Sequence, residues 1–169
     1  HRREQIVNVN GNGRDVVTKI AWNYGGGRQT AAIAVLVANG VLPKPDYVQM
    51  ADTSRERSST WRYYENHLGP YLRNIGIEVA VLSHEGASSD LYNGNGTLLI
   101  PAFDKHTGRL TNYCSAYWKR EVCKRHIRKR IDADGCSQAI GWLGYSADEA
   151  DRLPKVQRDK WLTVVAPLV

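Results

Sequence analysis

The sequence contains few cysteines, and their spacing matches no common framework. Its three cysteines are an odd number at irregular intervals, so a disulfide-rich secreted domain is excluded and a reducing cytoplasm is favoured. The same spacing does not match iron–sulfur signatures, and the five histidines show no zinc-binding pattern. We therefore expect neither a protein-held metal centre nor an iron–sulfur cluster. The cysteines are Cys114, Cys123 and Cys136.

Long apolar runs are also missing. No segment approaches the length of a membrane-spanning helix, and no signal peptide precedes the first predicted strand. These absences predict a cytoplasmic protein without a membrane partner. The chain begins at His1 rather than Met and stops at Val169 directly after an apolar run, which indicates trimmed ends and a domain truncated at its C-terminus.

Alternating strand and helix patterns fill most of the chain. A hydrophobic fraction of 42% can supply one core, so residues 18–169 are predicted to form one α/β domain. Because β and α elements alternate, we expect a mainly parallel sheet with helices on both faces, in three layers. Residues 1–17 are polar, contain an Asn-Gly-Asn-Gly turn signal, and form either an appended hairpin or a loose arm. The predicted strands are 18–23, 46–51, 78–82, 137–144 and 161–165, and the predicted helices are 29–39, 59–74 (kinked or split at Gly69-Pro70), 114–131 and 148–152.

A glycine turn joins the first predicted strand to the first predicted helix. It reads Tyr24-Gly25-Gly26-Gly27-Arg28-Gln29-Thr30. Glycine lets backbone N–H groups approach an anion and point at it, and the following helix adds the positive end of its dipole. The turn therefore predicts a phosphate cradle, with Arg28 and Thr30 assisting the backbone. It lacks the Gly-Lys-Ser/Thr ending of a Walker loop, and Thr30 stands where a dinucleotide fingerprint needs a third glycine.

A second polar segment follows the second predicted strand. It reads Asp52-Thr53-Ser54-Arg55-Glu56, and Thr60 lies four residues beyond Glu56. Ligands of open parallel sheets sit beyond the carboxyl ends of the strands. We therefore expect this segment and the glycine turn to meet at one edge of the sheet and to share one ligand.

The excess positive charge is concentrated in one predicted helix. Between Cys114 and Ile131 lie seven basic residues and one acidic residue, which accounts for the whole net charge of +6. A basic helix beside a phosphate cradle indicates a polyanionic partner, either a second anionic group or a nucleic acid, contacted by Arg125 and Arg128. A solvated helix face is the alternative. Cys114, at the predicted helix start, is either a reactive thiol or a small packing residue.

The glycine turn resembles the PP-loop of the adenine nucleotide alpha-hydrolase superfamily. The usual loop reads aromatic-Ser-Gly-Gly-x-Asp-Ser, so Gly25 replaces the first serine and Gln29 replaces the aspartate. Phage-encoded proteins similar to phosphoadenosine-phosphosulfate (PAPS) reductases share the Gly-Gly-Gly-x-Gln form. The chain resembles those phage proteins most, over roughly residues 18–168.

The other two segments resemble PAPS reductases as well. Asp52 to Glu56 is similar to their Asp-Thr-Gly-x-Glu motif, with Ser54 in place of the glycine. Tyr113-Cys114-Ser115 followed by Trp118-Lys119 is similar to their Cys-Thr-x-x-x-Lys stretch. The order of the three segments along the chain strengthens the resemblance.

This resemblance implies a Rossmann-like PP-loop fold and an adenine nucleotide, ATP or PAPS, as ligand or substrate, with Mg²⁺ accompanying ATP. Three functions stay open. The chain is an enzyme that acts at the α-phosphate of ATP and forms AMP and pyrophosphate, a PAPS reductase-type oxidoreductase, or a nucleic-acid-binding protein without catalysis. A phage origin would place it in the host cytoplasm. The implied catalytic residues are Cys114 and Lys119, and the implied nucleotide-binding residues are Tyr24, Gly25, Gly26, Gly27, Arg28, Gln29, Thr30, Asp52, Thr53 and Glu56.

Overall fold

Five parallel strands form the centre of the protein, and helices pack against them. The computed structural model describes residues 7–9, 15–84, 91–92, 95–96, 98, 100, 102–109, 115–155 and 159–169. The strands are β1 (Val7–Val9), β2 (Asp15–Asn23), β3 (Tyr47–Asp52), β4 (Val79–Ser83), β5 (Phe103–Asp104), β6 (Gly108–Arg109), β7 (Gln138–Leu143) and β8 (Leu162–Val165). The α-helices are α1 (Arg28–Ala38), α2 (Ser58–Tyr63), α3 (Gly69–Asn74) and α4 (Glu121–Ala133). Two π-helical turns, Tyr64–Leu68 and Ser115–Arg120, precede α3 and α4, and a 3-10 helix spans Ala147–Lys155.

Strand β2 lies in the middle of the sheet. The strand order is β4-β3-β2-β7-β8, and every neighbouring pair in it is parallel. This order confirms the predicted mainly parallel α/β fold. Strand β1 pairs antiparallel with the start of β2, with Val7 opposite Val17, and β5 and β6 form a separate antiparallel pair. In the described parts of the chain, no helix has both the length and the apolar character to cross a membrane.

Alternate side chains of β2 pack against different helices. Ile20 and Trp22 join a buried cluster with Ile33 of α1 and Leu72 of α3. Successive residues of a strand point to opposite faces of the sheet, and each large side chain that is fully buried contributes roughly 1.5–3 kcal/mol. Trp22, Ile33 and Leu72 have no solvent exposure. This cluster contains more buried residues than the cluster under α4, so it contributes more apolar stabilisation.

Helix α4 packs against the β2 and β3 side chains that point to the opposite face of the sheet from that cluster. Ile127 and Ile131, one helical turn apart, are fully buried beside Ala21 and Tyr47. The Tyr47 hydroxyl donates to the Asp134 carboxylate just beyond the end of α4, at 2.6 Å. The end of α4 therefore lies at the edge of the sheet where β3 begins, and its start lies at the edge where the parallel strands end.

The predicted break at Gly69-Pro70 takes the form of a π-helical turn. Pro70 lacks a backbone N–H, and its ring collides with the carbonyl four residues earlier in a regular helix. The helix widens to a π-turn at Tyr64–Leu68, just before this pair, and then continues as α3. A β-carbon on Gly69 would lie 2.8 Å from the Tyr64 carbonyl oxygen, so only glycine fits at this position.

We expect Gly69→Ala to destabilise the protein by about 1–3 kcal/mol, because the new methyl group meets backbone rather than a flexible side chain. In an ordinary helix the same change stabilises by about 1 kcal/mol. Urea denaturation would measure the free energy of unfolding, with Ser59→Ala in exposed α2 as the control that should change little. A stabilised Gly69→Ala protein would contradict the crowding at this turn.

Candidate phosphate-binding site

The glycine turn lies at the carboxyl end of the central strand. The Tyr24 N–H donates to the Gln49 carbonyl at 2.8 Å, which fixes the entry of the turn against β3. Gly25 and Gly27 are exposed, and Gly27 is the N-cap residue of α1. No side chain in the described residues hydrogen-bonds to cap this helix. Its first N–H groups are therefore available to an anion.

Gly26 of the glycine turn lies beside Thr60, which follows the second segment. Gly26 has a φ of +74°, and a β-carbon there would lie 2.7 Å from the Thr60 Cγ2 atom. The backbone conformation and the neighbouring methyl group both require glycine. Thr60 is the residue that the resemblance placed four positions beyond Glu56. The structure thus brings the first two sequence segments together.

Tyr24 and Thr30 form the frame of the turn rather than its open surface. The Thr30 side chain is buried, and its hydroxyl accepts a hydrogen bond from the Gly25 N–H at 3.2 Å. The Tyr24 ring is buried against Trp22 and Tyr64, at centroid distances of 5.8 and 5.5 Å. Burial raises the pKa of Tyr24. Of the predicted cradle, the backbone of Gly25 to Arg28 faces solvent.

The Gln29 side chain lies between the turn and a third segment, which follows β7. Its Oε1 atom would be 3.5 Å from a β-carbon on Gly27. Its Nε2 atom donates to the Ser146 hydroxyl and to the Glu149 carboxylate, each at 3.4 Å. A β-carbon on Gly144 would lie 3.3 Å from the Gln29 Cβ atom, so the two chain segments pack closely. The sequence motifs did not predict Ser146 and Glu149. Their position beside the turn depends on the pairing of β7 with β2, which no local pattern in the sequence specifies.

The third segment places acidic side chains beside the cradle. The Ser146 hydroxyl hydrogen-bonds to Asp148 and lowers the pKa of that carboxyl, and the Arg28 guanidinium lowers it further. Arg28 and Asp148 are both exposed. An anion at the cradle would therefore meet one guanidinium and two carboxylates, those of Asp148 and Glu149, so these three side chains carry a net negative charge.

The second segment is a tight turn that a glycine would suit. The Asp52 carboxylate accepts a hydrogen bond from the Ser54 N–H at 2.7 Å. Ser54 has a φ of +55°, the left-handed conformation that disfavours side chains with a β-carbon. This is the position where the resembled motif has glycine. Thr53 is buried between these residues and the core.

The second predicted motif, Asp52 to Glu56, contacts the third at Trp118 and Lys119. Glu56 forms an ion pair with Lys119, and the Arg55 guanidinium lies 5.2 Å from the centre of the Trp118 ring. Trp118 is fully buried, and its indole Nε1 has no hydrogen-bond partner among the residues described. Lys119, predicted to be catalytic, is therefore engaged by Glu56, which was predicted to face the nucleotide.

The structure does not bring the two predicted arginines of the basic helix to the cradle. Lys119 lies in the π-helical turn that precedes α4, and Arg125 and Arg128 follow about 9 and 13 Å farther along the helix axis. Arg128 pairs with Asp132 at 2.9 Å and lies over the Trp161 ring at 5.5 Å. Cys114 lies outside the described residues.

Comparisons with known proteins identify no relative. No protein-family model, curated protein or solved structure matches the chain. Within the described ranges, no group of three or more His, Cys, Asp or Glu side chains could hold a metal ion. The function is therefore inferred from the geometry of the cradle and its neighbours, together with the sequence motifs.

We expect Ser54→Gly to keep the stability of the protein or to raise it by up to about 1 kcal/mol, since glycine adopts the left-handed conformation without strain. Ser59→Gly, in exposed α2, should instead lower stability by about 0.5–1 kcal/mol. Urea denaturation of both variants would compare the two serines. A loss at Ser54 as large as the loss at Ser59 would argue against strain in this turn.

We expect the thiol of Cys123 to resist alkylation in the folded protein. Burial raises its pKa to about 12, although Lys119 opposes the shift. At pH 8 only about one Cys123 in 10⁴ would be a thiolate, and the thiolate is the reactive form. Iodoacetamide labelling followed by mass spectrometry should find that Cys136, which is partly exposed, is modified before Cys123. Equal labelling of the two residues before unfolding would contradict this expectation.

Proposed function

We propose that the chain is an adenine-nucleotide-binding protein of the three-layer PP-loop type. Its backbone at Gly25 to Arg28 would hold phosphate groups, and its activity would lie at the α-phosphate of ATP or a related nucleotide. The observation that carries the proposal is the turn itself. It combines an obligatory glycine at position 26, exposed glycines on either side and an uncapped helix start.

The backbone of α1 favours an anion at this position. The aligned peptide dipoles of α1 give its start a partial positive charge, and the first turn carries no acidic side chain. Hydrogen bonds from backbone N–H groups to a charged phosphate contribute about 1.5–3 kcal/mol each. Arg28 is exposed at the same end of the helix and adds a positive charge, which the neighbouring Asp148 carboxylate partly offsets.

The strand order supports a ligand larger than a single phosphate. Strands β3 and β7 flank β2, so three segments meet at the carboxyl edge of the sheet. The cradle is in the middle, the turn after Asp52 is on one side, and Ser146 to Glu149 are on the other. A nucleotide whose phosphates lie on the cradle could extend over either neighbour, as ligands of open α/β sheets do.

The neighbouring carboxylates suit the Mg²⁺ ion that accompanies ATP. The resembled loop has an aspartate at position 29, and here Gln29 donates to Glu149 instead. Mg²⁺ bound to a nucleotide needs one or two carboxylates in addition to phosphate oxygens. Asp148, Glu149 and the Ser146 hydroxyl are hard oxygen donors, so they fit this ion. We infer that Glu149 supplies the carboxylate that position 29 lacks.

The proposed reaction is displacement at the α-phosphorus. Water or an acceptor oxygen forms a bond to that phosphorus, and the bond to the bridging oxygen of the β-phosphate breaks. Pyrophosphate leaves with the electron pair. With water as the attacking group, ATP gives AMP and pyrophosphate. The N–H groups of the cradle would stabilise the charge on the transferred phosphorus centre and on the leaving group.

We expect Gly27→Val to weaken nucleotide binding at least about ten-fold, since a side chain there blocks the approach of phosphate to the backbone. Gly27 has a φ of −95°, and its nearest side-chain neighbour would be 3.5 Å from a β-carbon, so the fold should tolerate the change. Gly26 is unsuitable for this test because any β-carbon there collides with Thr60. Titration calorimetry with ATP, AMP and PAPS would measure binding.

Ala38→Val, at the far exposed end of α1, is the matched control and should bind like the unmodified chain. AMP and pyrophosphate released from ATP would support the proposed activity. Sulfite released from PAPS would replace it with the reductase alternative. If the folded Gly27→Val protein keeps full nucleotide affinity, the cradle is not the binding site.

A further inference from the structure

The two sides of helix α4 differ in how their charges are balanced. On the side toward β8, Lys124 pairs with Asp159 at 3.0 Å, and Arg128 pairs with Asp132 at 2.9 Å. Each base there has a carboxylate of its own. That side of the helix is therefore close to electrically neutral.

The other side of α4 keeps its positive charge. Arg125 and Lys129 are exposed and one helical turn apart, and Arg130 lies over the Tyr47 ring at 5.1 Å. Among the residues that the structure describes, no carboxylate lies within 4.0 Å of the charged nitrogens of these three side chains. This basic face, defined as Arg125, Lys129 and Arg130, holds the unbalanced charge of the helix.

An open groove continues the basic face. It has a volume of about 560 Å³ and lies where β3 and β4 begin, at the edge of the sheet opposite the cradle. His126 and Arg130 of α4 form one wall, and Lys44 and Arg73 contribute two further cations. Its acids are Asp46, which is paired with Lys19, and Glu78.

His126 lies in the same groove, close to Arg130 and Lys129. Burial lowers its pKa, and the nearby charges of Arg130 and Lys129 lower it further. A neutral imidazole adds nothing to the repulsion among these cations. Asp134 offsets part of the charge of Arg130, whose guanidinium helps to lower the pKa of that carboxyl. Arg125 and Lys129 form no ion pair within 4.0 Å among the described residues, which indicates a partner of negative charge.

We propose that the basic face of α4 and the adjoining groove bind the phosphate backbone of a nucleic acid. The cations are spread along the surface rather than converging on one point. Arg125 and Lys129 are about 6 Å apart along the helix axis, and Lys44 lies across the groove. A repeating anion can contact all of them at once, whereas a single phosphate can contact only one or two. The surface is independent of the cradle, because the two lie at opposite edges of the sheet.

Fluorescence anisotropy with a labelled single-stranded oligonucleotide of about 20 nucleotides tests the proposal. We compare the unmodified chain with Lys44→Gln/Arg125→Gln/Lys129→Gln across about 50–200 mM NaCl. All three side chains are exposed, so the variant should fold, and circular dichroism would verify it. We expect affinity to fall at least about ten-fold and the slope of log K against log salt to flatten by roughly 2, since about 0.7 per phosphate contact is lost.

The matched control removes three charges elsewhere. Arg120→Gln/Arg128→Gln/Lys160→Gln removes the same charge from three exposed positions. Arg120 is paired with Glu121, and Arg128 is paired with Asp132. This variant should lose less than about three-fold in affinity. Excess ATP should not displace the oligonucleotide, and Gly27→Val should bind it normally, which separates this surface from the cradle. Absence of binding by the unmodified chain, equal losses in both triple variants, or displacement by ATP would overturn the proposal.

Discussion

The burial of strand β2 on both faces and both edges is the constraint on which the rest of the structure depends. Ala21 and Trp22 have no solvent exposure, and β3 and β7 pair with β2 from either side. A strand in this position can end only in the middle of the sheet edge. The chain that leaves it therefore enters a site flanked by two other loops. The glycine turn is at the centre of this edge because it follows the central strand of the sheet.

The two departures from the resembled motifs have different physical explanations. Ser54 occupies a left-handed position, with the Asp52 carboxylate bonded to its N–H, so the geometry of the glycine-containing motif persists with a less suitable residue. Gln29, by contrast, forms hydrogen bonds that the aspartate of the resembled motif could not form. Its amide donates to Ser146 and Glu149. An aspartate at position 29 could not donate these hydrogen bonds, and its charge would repel Glu149. The first departure preserves a backbone conformation, and the second changes the distribution of charge around the cradle.

Local patterns in the sequence were sufficient for the five parallel strands, for α1 and for the position of the turn, but they did not predict β5 and β6 or the π-helical turn before α4. The strand and helix periods, the glycine run and the Gly69-Pro70 pair each act within a few residues, so they can be interpreted without the fold. The order of the strands is a property of the whole chain. That β7 lies beside β2, and hence that Glu149 lies beside Gln29, depends on which apolar faces pack best. The Glu56–Lys119 ion pair likewise joins segments 63 residues apart, which no spacing rule specifies.

The direction of α4 changes the interpretation of the basic helix. In the sequence alone, seven basic residues that follow a predicted phosphate cradle indicate one extended anion site. In three dimensions the helix runs away from the cradle, and only Lys119 stays near it, paired with Glu56. The bases toward β8 are neutralised by Asp132 and Asp159. Net charge therefore overstates what is available to a ligand at the carboxyl edge, and the cations that lack a partner collect near the opposite edge.

This separation has a physical consequence for any ligand pair. Two anions at the two edges of the sheet would be held apart by the length of the strands, about 17–20 Å for strands of five or six residues. Exposed charges at that distance interact weakly at physiological ionic strength, where the screening length is about 8 Å. A nucleotide at the cradle and a polyanion on the basic face of α4 would therefore bind without appreciable repulsion. Helix α4 connects the two edges. Lys119, just before its start, pairs with Glu56, and Asp134, just beyond its end, accepts a hydrogen bond from Tyr47.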